Sequence, residues 1–263
     1  MKKVAVITGA AGGIGAGIAR EAARRGMEVV LADWDEAGVR AVAEGIGEAA
    51  LAVKTDVSSL SSCEALADAA YSKHGQIDLL FNNAGVLSTG FCWEIPVDRW
   101  RQSLDVNING ILNGLRAFVP RLIAAQRPAR IINTASIGGF LPSPLMATYS
   151  VTKFATVALT ECLAGELKML KAPIEVSLLA PGPVKSGIFR EPPAGVADKF
   201  HKAMVDLLEQ HGLTGDEFAP LVFDAIERGE YWIIPQPEAF DPGFTARCET
   251  IAARRPPEFF VVD

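Results

Sequence analysis

Short apolar runs rich in β-branched residues punctuate the chain, and longer stretches of helical periodicity separate them. The runs are VAVIT (4–8), EVVLAD (28–33), LAVKTD (51–56), IDLLFNN (77–83), RIINTAS (130–136), IEVSLLAP (174–181) and YWIIP (231–235). Helical patterns fall near 13–25, 35–45, 60–74, 97–125 and 146–170. Strands this apolar have no face to offer water. They are buried on both sides, which implies a parallel sheet covered by helices on both faces. Right-handed crossovers then give an α/β, doubly wound Rossmann fold of about seven strands.

The 263 residues contain no linker, repeat or low-complexity stretch, so residues 1–263 are expected to form a single domain. One irregular region, 183–213, opens with PGPVKSGIFREPPAG and holds one amphipathic helix, DKFHKAMVDLLEQHG. It follows the sixth strand, at the sheet edge where ligands bind, and is expected to be a substrate lid. A net charge of -6 opposes a nucleic-acid surface, and the adjoining Arg254 and Arg255 are too short a basic run to supply one. No run reaches the length of a membrane span, and MKKVAVITG reads as a first strand rather than a targeting segment. Cys63, Cys92, Cys162 and Cys248 are widely spaced without a CxxC, as expected of reduced thiols in a cytoplasmic protein without a metal site.

TGAAGGIG joins the first strand to the first helix. Glycines at 9, 13 and 15 let the backbone turn sharply and approach a ligand, and the helix start offers free N–H groups to a pyrophosphate. No Lys-Ser/Thr pair follows, which excludes a P-loop. Asp33 ends the second strand, 18 residues after Gly15, where its carboxylate can accept from ribose hydroxyls and would repel a 2′-phosphate. Trp34 stands where an arginine would otherwise serve NADP, so NAD is the expected cofactor. As an alternative role, Asp33 could cap the next helix, a job Asp35 could do as well.

ATYSVTK (147–153) places Tyr149 and Lys153 one turn apart on a helical face. Free tyrosine has a pKa of about 10. A neighbouring ammonium, with the positive nicotinamide ring of the expected cofactor, favours the phenolate and brings it toward service as a base. Tyr71 and Tyr231 lack such a partner, with Gly75 and Pro235 four residues on. Ser136, thirteen residues before Tyr149, could hydrogen-bond a substrate oxygen or simply form a turn. Asn107, Asn109 and Asn113 lie together, and spacing does not choose among them.

TGAAGGIG, DV (56–57), NNAG (82–85), Ser136, YSVTK (149–153) and PGPV (181–184) resemble, in order, the motifs of the short-chain dehydrogenase/reductase family, over residues 4 to about 186. The likeness is to its compact single-domain branch. It implies an NAD(H)-dependent alcohol dehydrogenase or ketone reductase with Asn107, Ser136, Tyr149 and Lys153 as catalytic residues. It implies cofactor contacts from Gly9, Gly13, Ile14, Gly15, Asp33, Trp34, Asp56 and Val57. Asn83, Ala84 and Gly85 would line the adenosine side, and Tyr149 and Lys153 the ribose. Pro181, Gly182, Val184 and Ser186 would form the turn at the carboxamide, with Ser186 in place of the family's usual threonine. The asparagine would bend its helix and anchor a water to the lysine.

The substrate pocket is expected from residues following Ser136, from 86–94 and from the lid, with Gly138, Phe140, Trp93, Ile188 and Phe189 among its contacts. That set is apolar and predicts an apolar, cyclic or aromatic secondary alcohol. A finer resemblance, through VNINGILNGLRAFVPRLIA, GGF, HGLTGDEFA and YWIIPQPE, is to the Cα-dehydrogenase subgroup acting on lignin-derived aryl ethers. The family commonly forms homo-oligomers, tetramers or dimers, and the small residues of ATVALTECLAGEL would allow helices to pair closely. The competing readings are an NADPH-dependent carbonyl reductase, a halohydrin-type lyase and a non-catalytic NAD-binding protein.

Overall fold

The computed structural model describes residues 2–257 and 259. Among these, seven parallel strands form one sheet in the order β3-β2-β1-β4-β5-β6-β7. They are β1 (Val4–Thr8), β2 (Glu28–Asp33), β3 (Ala50–Lys54), β4 (Leu79–Asn82), β5 (Ala129–Thr134), β6 (Ile174–Leu179) and β7 (Trp232–Ile233). The helices are α1 (Gly13–Arg24), α2 (Glu36–Ile46), α3 (Leu60–His74), α4 (Val97–Leu104), α5 (Gly110–Ala125), α6 (Ala147–Met169), α7 (Asp198–His211), α8 (Gly215–Glu227) and α9 (Pro237–Ala252).

Successive strand side chains point to opposite faces. Val4, Val6, Val30, Leu80 and Ile131 meet Leu66 of α3, Phe118 of α5 and Leu163 of α6 on one face. Ala5, Ile7, Leu31, Phe81 and Ile132 meet Ile18 of α1, Val39 of α2 and Phe223 of α8 on the other. Each fully buried Leu, Ile or Phe contributes about 1.5–3 kcal/mol, so both faces must be covered for such strands to be stable. α1 and α8 approach closely because two glycines face each other: a Cβ on Gly17 would lie 2.1 Å from the Gly215 carbonyl oxygen.

The expected strands and helices are found, with three differences. The stretch 97–125 is two α-helices joined by a wider π-helical turn at Asp105–Asn109. The widened turn changes the phase of the helix and turns Asn107 fully inward, while Asp105 and Asn109 face outward. The last strand spans two residues, because Pro235 cannot extend a ladder. α9 was not expected, since its interior Pro242-Gly243 reads as a turn. None of the helices is long and apolar enough to cross a membrane, among the described residues.

Candidate active site

Strand order reverses between β1 and β4, and the expected site residues gather there, outside the carboxyl ends of the strands. The turn after β1 runs through Gly9 and Gly13 at φ 70 and 51, the left-handed region that favours glycine. A Cβ on Gly9 would sit 2.9 Å from the Ala84 Cα, and one on Gly15 2.1 Å from the Gly9 carbonyl oxygen. The start of α1 at Gly12 has no side-chain cap, and nothing lies within 4 Å of where a Gly12 Cβ would be. Its first amides, with Ile14 among them, have no side-chain cap and carry the positive end of the helix dipole, which fits a pyrophosphate.

Asp33 is held beside this turn. Its carboxylate accepts from the Ala11 amide and the Asp35 amide, each at 3.0 Å. It does not cap α2; Asp35 does, accepting from the Gly38 amide at 3.0 Å. Trp34 next to it is 70% exposed. Asp56 takes both the amide and the hydroxyl of Ser58 on one carboxylate oxygen, and the Val57 carbonyl accepts from Asn113.

Thr8, which the sequence offers only as the first letter of TGAAGGIG, organises the crevice. Its hydroxyl oxygen accepts from the amides of Asn83 and Ala84 at 2.9 and 3.1 Å and lies 3.2 Å from the Phe81 carbonyl, to which it donates. Asn83 returns its side-chain amide to the Thr8 carbonyl at 3.0 Å. The ends of β1 and β4 are thereby fixed against each other, with Gly85 beyond. A Cβ on Gly85 would lie 3.4 Å from Asn107 Oδ1 and 3.5 Å from Lys153 Nζ.

Ser136 leaves β5 with its hydroxyl oxygen accepting from the Gly138 amide at 3.0 Å. Gly138 stands between it and the tyrosine: a Cβ there would lie 3.4 Å from Ser136 Oγ and 3.3 Å from Tyr149 Cε1. Lys153, one turn after Tyr149, is buried with its ammonium 5.6 Å from the Tyr149 ring centre and donates to the Thr134 carbonyl at 2.8 Å. Burial pushes the Tyr149 phenol up, opposed by its hydrogen bond with Ser136. Burial also pushes Lys153 down to about 8. In the protein by itself, desolvation disfavours charge on both; the expectation that the ammonium together with the positive nicotinamide ring favours the phenolate concerns the cofactor-bound site.

The structure separates the three asparagines. Asn107 brackets one residue, its Oδ1 accepting from the Val86 amide at 2.8 Å and its Nδ2 donating to the Val86 carbonyl at 2.9 Å. Its Nδ2 also reaches Thr152 Oγ1 at 2.9 Å. Asn109 pairs with Asp105 on its own helix, and Asn113 holds Val57. Beneath the site a buried polar ladder follows α6. The Thr156 hydroxyl donates to the Thr152 carbonyl and the Thr160 hydroxyl to the Thr156 carbonyl, at 3.0 and 2.7 Å. Thr160 Oγ1 accepts from Asn133 at 3.1 Å, and Asn133 accepts from Asn82 at 2.9 Å.

After β6, Pro181, Gly182, Val184 and Ser186 run beside the glycine-rich turn, and a Cβ on Gly13 would lie 2.7 Å from the Ser186 Cβ. The segment 183–213 is fastened to the loop after β4. The Ala194 amide donates to the Thr89 carbonyl at 2.8 Å, and Thr89 Oγ1 lies 3.0 Å from His201 Nδ1. Phe189 meets the His201 ring edge-on and lines a cavity of about 290 Å³ with Arg190, Val205 and Leu208. Ile188 is half-buried in the same turn.

Two of the expected substrate contacts have aromatic packing partners of their own. Phe140 packs edge-on against Trp232, Phe240 and Phe244 at 5.2 to 5.8 Å, drawn there by the unforeseen α9. Trp93 is 76% exposed and stacked on Phe91.

A doubly wound sheet with these residues at its switch point defines a class, and the chain belongs to it: the short chain dehydrogenase family profile matches residues 3–195. It is an oxidoreductase of that family, and three relatives place it more closely. The chain is 36% identical over 266 residues to a C alpha-dehydrogenase of Sphingobium sp., covering 95% of this chain and 87% of that protein. It is 31% identical over 278 residues to a CLA biosynthesis dehydrogenase/reductase of Lactiplantibacillus plantarum, covering 99% and 97%. The crystal structure of a short chain dehydrogenase/reductase from Burkholderia phymatum in complex with NAD superposes with a TM-score of 0.93 at 33% identity, over 99% of this chain and 98% of that one.

Proposed function

We propose that the protein oxidises a secondary alcohol to a ketone with NAD, or runs the reverse reaction, with Tyr149 as the acid/base. The observation that carries this reading is the convergence of Ser136, Tyr149 and Lys153 beside an uncapped, glycine-rich helix start. The Ser136 oxygen accepts the Gly138 amide at 3.0 Å, and its hydroxyl has Tyr149 and the Pro181 carbonyl, 3.5 Å away, within reach. A substrate oxygen entering between Ser136 and Tyr149 would take the Ser136 hydrogen in their place. When bound, NAD would supply the acceptor for the carbinol hydride and a positive charge that favours the Tyr149 phenolate. Tyr149 takes the hydroxyl proton, and Lys153 holds the tyrosine's surroundings and the ribose side of the cofactor. The Asp33 carboxylate favours NAD, since a 2′-phosphate beside it would meet like charge.

The substrate is apolar and bulky, and residues 183–213 close over it as a lid. Support comes from the apolar residues along that segment and from relatives named for C alpha-dehydrogenation and CLA biosynthesis. Reduced nicotinamide should form with NAD, and far more slowly with NADP, over a panel running from short aliphatic to cyclic, aryl and long-chain carbinols. Tyr149→Phe should abolish turnover while NAD still binds. Turnover within about tenfold of wild type would remove the role given to Tyr149.

A further inference from the structure

We infer that Gln236, at the entry to α9, is a positioning residue that aims the turn reading the nicotinamide end of the cofactor. The inference rests on the proposed dinucleotide site.

Gln236 is 6% exposed, and its amide is used at both ends. Oε1 accepts from the Gly182 amide at 3.0 Å, and Nε2 donates to the Pro183 carbonyl at 3.0 Å. Because one partner is a donor and the other an acceptor, only one orientation of the side-chain amide satisfies both. Glycine at 182 leaves room for this approach, since a Cβ there would lie 3.0 Å from Gln236 Oε1.

Across a trans peptide the carbonyl and the N–H point in opposite directions. Each Gln236 hydrogen bond therefore also sets where the opposite side of a peptide plane looks. The Gly182 N–H faces Gln236, so the Pro181 carbonyl faces away, where it accepts from the Ile137 amide at 3.0 Å and lies 3.5 Å from Ser136 Oγ. The Pro183 carbonyl faces Gln236 and the Leu213 amide, 3.2 Å away, so the Val184 N–H looks the other way. Val184 is 4% exposed, and its N–H has no acceptor among the described residues. A buried unpaired donor is costly, and an amide oxygen brought by the cofactor is a group of the kind that would satisfy it.

Gln236 also connects this turn to the other flank of the site. The helix that follows it lays Phe240 and Phe244 on Phe140 and brings Gly243 against Leu141, both in the loop after Ser136. Cutting the two amide contacts should let the 181–184 turn drift while leaving the glycine-rich turn and Asp33 untouched.

The test compares equilibrium binding of NAD with that of ADP-ribose, which is NAD without the nicotinamide ring, in wild type and in Gln236→Leu. The variant should bind NAD about tenfold more weakly, the loss that one misaimed hydrogen bond accounts for, and ADP-ribose within about twofold. Gln236→Glu keeps the acceptor for Gly182 and loses the donor to Pro183. It should show the same split, and it serves if the leucine variant does not fold. Equal weakening of both ligands, or of neither, would overturn the positioning role. A wild-type protein that binds neither ligand would overturn the dinucleotide site itself, and the inference with it.

Discussion

Lys153 should make the stability of the cofactor-free protein depend on pH in a way that can be isolated. Its ammonium is buried and held to about 8, against 10.5 for a free lysine side chain. Between those values the unfolded chain binds more protons than the folded one, so stability rises with pH. Below that window both states carry the charge and the burial penalty is fully present; above it both are neutral and the penalty is gone. At roughly 1.4 kcal/mol per pH unit, the gap amounts to about 3 kcal/mol. Most of it falls between pH 7 and pH 10. Lys153→Met abolishes this titration. It also removes the hydrogen bond to the Thr134 carbonyl, but that loss is the same at every pH below the window and cancels when slopes are compared. Urea unfolding of both proteins without NAD, at intervals across this range, gives the difference directly, and the other titrating groups subtract out. The wild type should gain on the variant steadily as pH rises. A difference that stays flat to within about 1 kcal/mol would mean that Lys153 keeps its charge in the folded protein and that burial does not govern the site.

Thr8→Val should destabilise the protein by about 2–3 kcal/mol in urea unfolding, because it strands two amides at the ends of β1 and β4; a loss under about 0.5 kcal/mol would show that the hydroxyl is not what joins them. Gly17→Ala should cost about 1–3 kcal/mol and push α1 away from α8, and an unchanged thermal midpoint would contradict the close approach. Joint replacement Asp33→Ser and Trp34→Arg should raise the preference for NADP over NAD by about a hundredfold in kcat/KM, and an unaltered ratio would relieve Asp33 of its discriminating role.

The sheet was legible because buried parallel strands have a signature that little else shares, and β1 and β2 fall where their apolar runs do. The nucleotide turn and the Tyr149–Lys153 pair were legible because their chemistry is local in sequence. What escaped the sequence is what acts over long separations. Asn107 could not be singled out from Asn109 and Asn113 until the widened turn was seen, since helical spacing assumes a constant phase. The packing of the pocket residues escaped in the same way. The place of Phe140 after Ser136 does not reveal its contacts with Phe240 and Phe244 of α9, about a hundred residues later and disguised by Pro242-Gly243. Gln236 stood only within YWIIPQPE, and its role carried no signal, because glutamine before a proline is unremarkable until its two backbone partners are known. The sense of the Tyr149 and Lys153 shifts required burial, which spacing does not report.

The threonine ladder along α6 has a consequence for how the site can change. Apolar packing is non-directional, and a helix seated only on Leu163 and Leu167 could turn about its axis at little cost. Successive residues of a helix are about 100° apart, so a small turn would swing Tyr149 away from Ser136. Thr160 accepting from Asn133, and Thr152 accepting from Asn107, key the helix to β5 on one side and to the widened turn on the other. The angular setting of the reactive pair is thus indexed from the interior, independently of the loops that meet the substrate. Those loops can be exchanged for others, and the chemistry stays aimed while the choice of substrate drifts.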